Sequence, residues 1–274
     1  MPDAGPTRML CSAEAMMTIQ SVKRALDILS LFTPNQPSLG VTEIARQMGL
    51  AKPTAHGLVQ TLADEGFLSQ CTESKKYTLG LRVYELGSYV SSHLRVNQIG
   101  GPAARRLSQQ TGLMARIGIW DRGRVLVTLN VFPNDDPLPF VNLGPKVPAY
   151  CSAIGKAMLA TFTSDALEGY LDQTLLEPMT PHTIVQRDTL FQELGRTRTE
   201  GVSRESEEYI VGLACIGAPL YDSSGRAEAA ISVSGGPDLW SREDLTDIKT
   251  AVQRTAGEIS FALGYSPMPG PMPG

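Results

Sequence analysis

The sequence predicts an α+β protein with an N-terminal winged helix-turn-helix, a linker helix and a larger antiparallel α+β domain. Three observations carry this expectation. Two short amphipathic segments flank a tight turn at Gly49, the helix-turn-helix pattern. Two short strand-like segments follow directly, separated by the polar turn Thr72-Glu73-Ser74-Lys75. Beyond residue 98, hairpin signals alternate with helical periodicity.

The first helix reads from Ser21 to Phe32, with Val22, Ala25, Leu26, Leu29 and Phe32 as its apolar stripe and Ser21 as N-cap. Pro34, Pro37 and Gly40 then break the chain. The second helix lies in TEIARQMGL, capped by Thr42 and closed by Gly49. The third starts at Lys52, with Pro53 in its first turn and Ala55, Leu58 and Leu62 inside. Its outward face carries Pro53, His56, Gly57 and Gln60, flanked by Lys52 and Thr54. These residue types suit DNA. Lys52 pairs with a phosphate or a guanine edge, Gln60 with adenine, Thr54 and His56 with a base edge or a phosphate. Lys75 and Lys76 near the tip of the wing suit phosphate contact.

Charge supports this only weakly. The net charge is −4. Residues 1–97 hold nine Lys/Arg against eight Asp/Glu, a balance of +1, and the remainder fifteen against twenty, a balance of −5. Cys11, Cys71, Cys151 and Cys215 are widely spaced and form no CxxC pair, which excludes a zinc ribbon and a disulfide framework. No apolar run approaches the ~20 residues of a membrane span, and MPDAGPTRML lacks the order of a signal peptide. A cytoplasmic chain without a membrane partner is expected.

Leu81 to Asn97 reads as the linker helix, with Val83, Leu86, Val90 and Leu94 as a stripe that a second copy would cover. A new domain is expected from Gly100-Gly101-Pro102. Strands read at 115–120, 124–131, 140–143, 215–221 and 227–234, and helices at 103–110, 153–162, 165–171, 189–200 and 242–263. Asp121-Arg122-Gly123 and Asp222-Ser223-Ser224-Gly225 are the hairpin turns, and Ser241 with Asp244 forms a capping box. The expected organisation is thus a disordered tail at 1–17, a winged module at 18–80, the linker at 81–97, the second domain at 98–266 and a disordered tail at 267–274.

Six stretches, in order, make the chain from about Ile19 to about Tyr265 resemble the IclR family of bacterial transcription regulators. They are SVKRALDILSLF, TEIARQMGL, KYTLG, SAIGKAMLA, SEEYIVGLACIGAPLYDSSG and AAISVSGG. The resemblance implies a GAF-like effector domain, dimers that pair into tetramers, operator DNA and a small organic acid as partners, and no catalysed step or cofactor. It implies that the effector carboxylate meets the start of a helix at Ser152, Ala153 and Ile154, and that the polar end meets Glu205, Cys215, Ser232 and Ser234. Backbone N–H groups at a helix start favour an anion, and residues two apart on a strand share a face. The chain departs from the family pattern at Gly57, where Arg is frequent, at Tyr150, where His is frequent, and at Glu205, where Asp is frequent. Tyr150 and the longer Glu205 leave open a smaller, displaced ligand or a larger, aromatic one.

Two other readings compete. A cysteine-dependent enzyme would use Cys215, His182 and Glu205, yet nothing in the sequence aligns His182 with Cys215. A metal- or thiol-based sensor would use Cys151, His182 and Cys215, whose spacing matches no tight metal motif.

Overall fold

The computed structural model describes residues 18–133 and 145–266. The chain divides into two compact units, Met1–Gly87 and Ser88–Gly274. The expected tails at 1–17 and 267–274, and the strand expected at 140–143, lie outside the described residues.

The first unit contains α1 (Gln20–Ser30), α2 (Val41–Met48), α3 (Lys52–Asp64), β1 (Leu68–Gln70) and β2 (Tyr77–Leu79). β1 and β2 pair antiparallel, and Leu39 bridges to Tyr77 from the other side. Ile28, Phe32, Leu39, Ile44, Val59, Leu62, Leu68 and Tyr77 form the core. This is a winged helix-turn-helix, but several local expectations fail. Val22 and Leu26 of α1 are exposed, whereas Ala25, Leu29 and Phe32 of the expected stripe turn to the core together with Ile28, which that stripe left out. Both sets have helical spacing, so periodicity alone could not choose between them. Ile19, not Ser21, occupies the N-cap position of α1 and makes no capping bond. Gly40 replaces Thr42 as the N-cap of α2, and its N–H donates to the Glu43 carboxylate at 2.7 Å. Inside α3, Val59 is buried and Leu58 only partly so.

α4 (Leu81–His93) ends earlier than the expected linker helix. Leu94 is extended, and α5 (Arg95–Thr111) begins immediately after it. α5 then runs straight through Gly100, Gly101 and Pro102, where a domain start was expected. Packing explains this. A Cβ on Gly100 would lie 2.5 Å from Ile117 Cδ1, so glycine lets α5 approach the sheet closely. No residue of α4 is buried; Leu81, Tyr84, Leu86, Tyr89 and Val90 are all exposed, while Val83 and Leu94 are half-buried.

The second unit is built on β3 (Met114–Asp121), β4 (Arg124–Val131), β5 (Lys146–Pro148), β6 (Ser203–Ser206), β7 (Ala214–Leu220) and β8 (Ala229–Gly235). Every pair is antiparallel, in the order β5-β4-β3-β8-β7-β6. Arg122 and Gly123, both at positive φ, make the two-residue turn between β3 and β4. Sequence reading missed β6, because Ser-Arg-Glu-Ser shows no apolar alternation. α5 and α9 (Leu245–Ala262) cover one face, with Ala115, Ile117, Ile216, Ile231 and Val233 beneath them. α6 (Ala153–Leu159), α7 (Ser164–Asp172) and α8 (Arg187–Glu200) lie with the opposite core, around Val125, Val127, Ile154, Leu167, Leu190 and Leu194. Ser241 does not cap α9. It ends a 3-10 turn from Pro237, and its hydroxyl donates to Asp238 O at 2.9 Å.

Candidate functional site

On the first unit, Lys52, Pro53, Thr54, His56, Gly57 and Gln60 are all exposed along α3. Ala55, Val59 and Leu62 hold the opposite side of the helix in the core. A Cβ on Gly57 would meet nothing within 4 Å. The fold therefore does not require glycine there, and the surface is left low at the middle of the face. Gln60 Nε2 donates to Asp64 Oδ1 at 2.8 Å, a local bond that a base edge could replace. The two wing lysines differ. Lys75, at φ 57, is exposed on the turn. Lys76 lies half-buried with Nζ 3.6 Å from Glu43 Oε2, so it braces the wing against the start of α2. The carboxyl of Glu43 is held below its usual range by the Gly40 N–H first and by Lys76 second.

On the second unit, strand register assembles the site. One row of cross-strand neighbours runs Asn130, Arg116, Ser232, Gly217 and Ser203. The next row runs Met114, Ser234, Cys215 and Glu205. Alternation turns both rows to the face opposite the apolar layer under α5 and α9. This face carries charge and hydroxyls although it too is covered. α6 starts directly above it. A Cβ on Gly217 would sit 2.9 Å from Ala153 O, and Ser203 Oγ donates to the same carbonyl at 2.6 Å.

Ser152, Ala153, Ile154, Glu205, Cys215, Ser232 and Ser234 line one cavity with Arg116, Val147, Tyr209 and Leu213. The space within it that a water centre can occupy is about 10 Å³, room for about one water. Ser152 is occupied structurally: Oγ accepts from Gly155 N at 3.3 Å and donates to Pro148 O at 2.6 Å, capping α6. Cys215 Sγ donates to Ser234 Oγ at 3.2 Å. Burial pushes the Cys215 thiol well above its ordinary value, so it stays protonated.

Glu205 is 1% exposed. Its Oε1 accepts from the N–H groups of Glu208 (2.9 Å) and Tyr209 (3.3 Å). Its Oε2 is buried and accepts no well-formed hydrogen bond among the described residues, its polar neighbour across the strand pair being the Cys215 thiol. Burial raises this carboxyl to about 7. Arg204 takes no part, being paired with Glu200 at 2.7 Å. The loop after Glu205 is pinned by a buried ion cluster, in which Lys156 Nζ lies 2.6 Å from Glu208 Oε1 and 3.6 Å from Glu193 Oε1. Thr180 and Thr183 hydroxyls donate to Glu207 O and Glu208 O, each at 2.6 Å.

Arg116 and Tyr209 escaped the sequence reading. The available signal was a charged residue inside the apolar strand Met-Ala-Arg-Ile-Gly-Ile, in phase with the serines it faces. Tyr150 does not reach the cavity. Its hydroxyl donates to Glu177 O at 2.8 Å, and its ring lines a separate depression beside Arg122 and Tyr170. His182 is exposed and outside the cavity, so no Cys–His–Glu arrangement forms. No cluster of three His, Cys, Asp or Glu suited to a metal occurs among the described residues, and none of their helices is long and apolar enough to cross a membrane.

Residues 88–261 match the family model for the bacterial transcriptional regulator IclR C-terminal domain, and residues 21–71 match the IclR helix-turn-helix domain. The chain belongs to the IclR family. It is 31% identical over 250 residues to the HTH-type transcriptional regulator XynR of Escherichia coli, covering 91% of this chain and 99% of that one. Among solved structures, it resembles the Thermotoga maritima IclR with a TM-score of 0.72 and 28% identity, over 90% of this chain and 100% of that one. A similar fold, at a TM-score of 0.75 and 21% identity, occurs in an IclR homolog from Microbacterium hydrocarbonoxydans complexed with 4-hydroxybenzoate, over 89% of this chain and 98% of that one. The relatives matched are transcription regulators. This IclR-family chain is accordingly a DNA-binding transcription regulator and not an enzyme.

Proposed function

We propose that this regulator binds operator DNA through α3 and the wing, and that a small organic acid held in the cavity of the second unit controls that binding, in the service of a catabolic operon. The observation that carries the effector reading is the polar constellation on a covered sheet face, with Glu205 Oε2 left without a well-formed hydrogen bond. An unpaired polar atom in the interior costs about 1–3 kcal/mol, a cost that a ligand hydroxyl would remove. The 4-hydroxybenzoate complex of the Microbacterium homolog supports an acid as the ligand class. For DNA, Lys52, Thr54, His56 and Gln60 would meet the major groove while Pro53 and Gly57 let the backbone approach, and Lys75 would meet phosphate, with Lys76 beside it. Two copies joined through the exposed side of α4 would present paired reading helices to a palindromic operator, with dimers pairing further into tetramers.

The test combines calorimetry of the full chain against a panel of small carboxylic acids with fluorescence anisotropy on its own upstream DNA. An acid that binds and also shifts the DNA affinity is the expected result. A panel in which no acid binds, while DNA binding is intact, would remove the organic-acid part of this reading.

A further inference from the structure

The cavity contains a cation that no carboxylate of the described residues approaches to salt-bridge distance. Arg116 is 7% exposed and lines the cavity. Its Nε donates to Asn130 Oδ1 at 3.0 Å, which fixes the plane of the guanidinium from the strand on the far side. Among the described residues it makes no ion pair within 4.0 Å. Every other arginine or lysine buried as deeply would be expected to pair, and Lys156, the other buried cation of this unit, has two carboxylates around it. A guanidinium held in the interior without an anion is costly. Burial indeed presses the Arg116 proton affinity down, with Cys215, Tyr209 and Glu205 as the neighbours that oppose this.

Resting on the reading of the cavity as an effector site, we infer that Arg116 is the group that pairs with the effector's carboxylate, and that the ligand is a small monocarboxylate whose far end carries a hydroxyl or carbonyl. Three features of the site lead there. First, α6 has only seven residues, so its start offers little dipole to hold an anion. Second, Arg116 and Ser232 are direct cross-strand neighbours, while Glu205, Cys215 and Ser234 occupy the adjacent row. The cationic end and the acidic, hydroxyl-rich end of the cavity are therefore separated along the sheet, and one ligand spanning them meets both. Third, the single unbonded oxygen at the Glu205 end suits one donor or one carbonyl, whereas a second carboxylate there would meet the buried acidic side chain itself, and the nearby Lys156 is already paired with Glu208. As it stands the space holds about one water, so a ligand enters only as lining side chains such as Tyr209 and Leu213 move outward. A planar guanidinium grips a carboxylate through two parallel N–H bonds, which an ammonium cannot reproduce.

The experiment is calorimetry on the full chain with glyoxylate, lactate and 4-hydroxybenzoate, each compared with its neutral amide. At least one acid should bind the wild-type chain, about tenfold or more tightly than its amide. Arg116→Gln should weaken the acid about ten- to a hundredfold, leave the amide little changed and so erase the difference. Arg116→Lys should recover part of it. If Arg116→Gln fails to fold, Asn130→Ala, which only releases the guanidinium, should weaken the acid and spare the amide. An acid-over-amide preference that survives Arg116→Gln or Asn130→Ala at full size would overturn the assignment of Arg116 while leaving the cavity as the effector site. Equal affinity of acid and amide for the wild-type chain would overturn it as well. Failure of every acid to bind the wild-type chain would overturn the effector reading itself, and this inference with it.

Discussion

Replacing Glu205 by glutamine should abolish a large pH dependence in the stability of the second unit. Glutamine retains an oxygen for the N–H groups of Glu208 and Tyr209, so the geometry at Oε1 survives. The change lies in the proton. In the unfolded chain the Glu205 carboxyl ionises near its ordinary value of 4.5, whereas in the folded chain burial raises it to about 7. Between those values the folded chain holds more protons than the unfolded one, so stability falls as pH rises. Each pH unit of that gap is worth about 1.4 kcal/mol, which gives a total of about 3 kcal/mol, of which roughly 2 to 3 kcal/mol falls between pH 5 and pH 8. Both tryptophans, Trp120 and Trp240, lie in the second unit, so their fluorescence during urea unfolding reports on it. Extrapolated stabilities at fixed protein concentration should show wild type losing about 2 to 3 kcal/mol more than Glu205→Gln between pH 5 and pH 8. The neighbouring Glu208, also raised by burial but held by Lys156, is present in both proteins and its contribution largely cancels. Parallel pH profiles for the two proteins would refute the argument that burial raises the Glu205 carboxyl.

Three further outcomes are expected. Lys52→Ala should weaken operator binding by about 1–3 kcal/mol if it reads a base; anisotropy with matched and scrambled operators measures this, and an equal loss on both would make it a phosphate contact. Lys75→Ala should reduce the salt dependence of DNA binding, whereas Lys76→Ala should also slightly lower the stability of the winged unit, because it loses a solvent-screened pair with Glu43; identical behaviour of the two variants in salt titration and thermal melting would contradict the distinction. Leu86→Glu with Val90→Glu, both on exposed positions of α4, should give a monomer that no longer binds a palindromic operator, and sedimentation at an unchanged oligomeric mass would argue against pairing through this helix.

The wing and the turn at Arg122-Gly123 were legible because turn chemistry and strand alternation are local properties. The helices α6 to α9 of the second unit were legible for the same reason, to within a few residues at each end, whereas the start of α5 was missed by eight residues. Helix starts were less legible. Ser21, Thr42 and Ser241 each have the chemistry of a cap, but capping depends on where the chain enters the helix, and tertiary packing moved those entries to Ile19, Gly40 and Asp244. Gly100-Gly101-Pro102 read as a break because glycine and proline weaken an isolated helix. In the folded chain the notch at Gly100 fits Ile117, and that contact outweighs the propensity.

The order of residues along the chain thus showed where the helices and the longer strands lie, which side of α3 faces outward, and which residue types are available to a ligand, but not the short strands β5 and β6. The tertiary structure alone decided which apolar residues of α1 are buried, that Lys76 braces α2, and that Tyr150 faces away from the cavity. It also brought Arg116 and Glu205, from strands far apart in sequence, to the lining of one cavity. The physical reason is register. Side-chain alternation gives each strand two faces, but only hydrogen-bonded pairing between strands distant in sequence fixes which faces meet and which residues stand opposite one another.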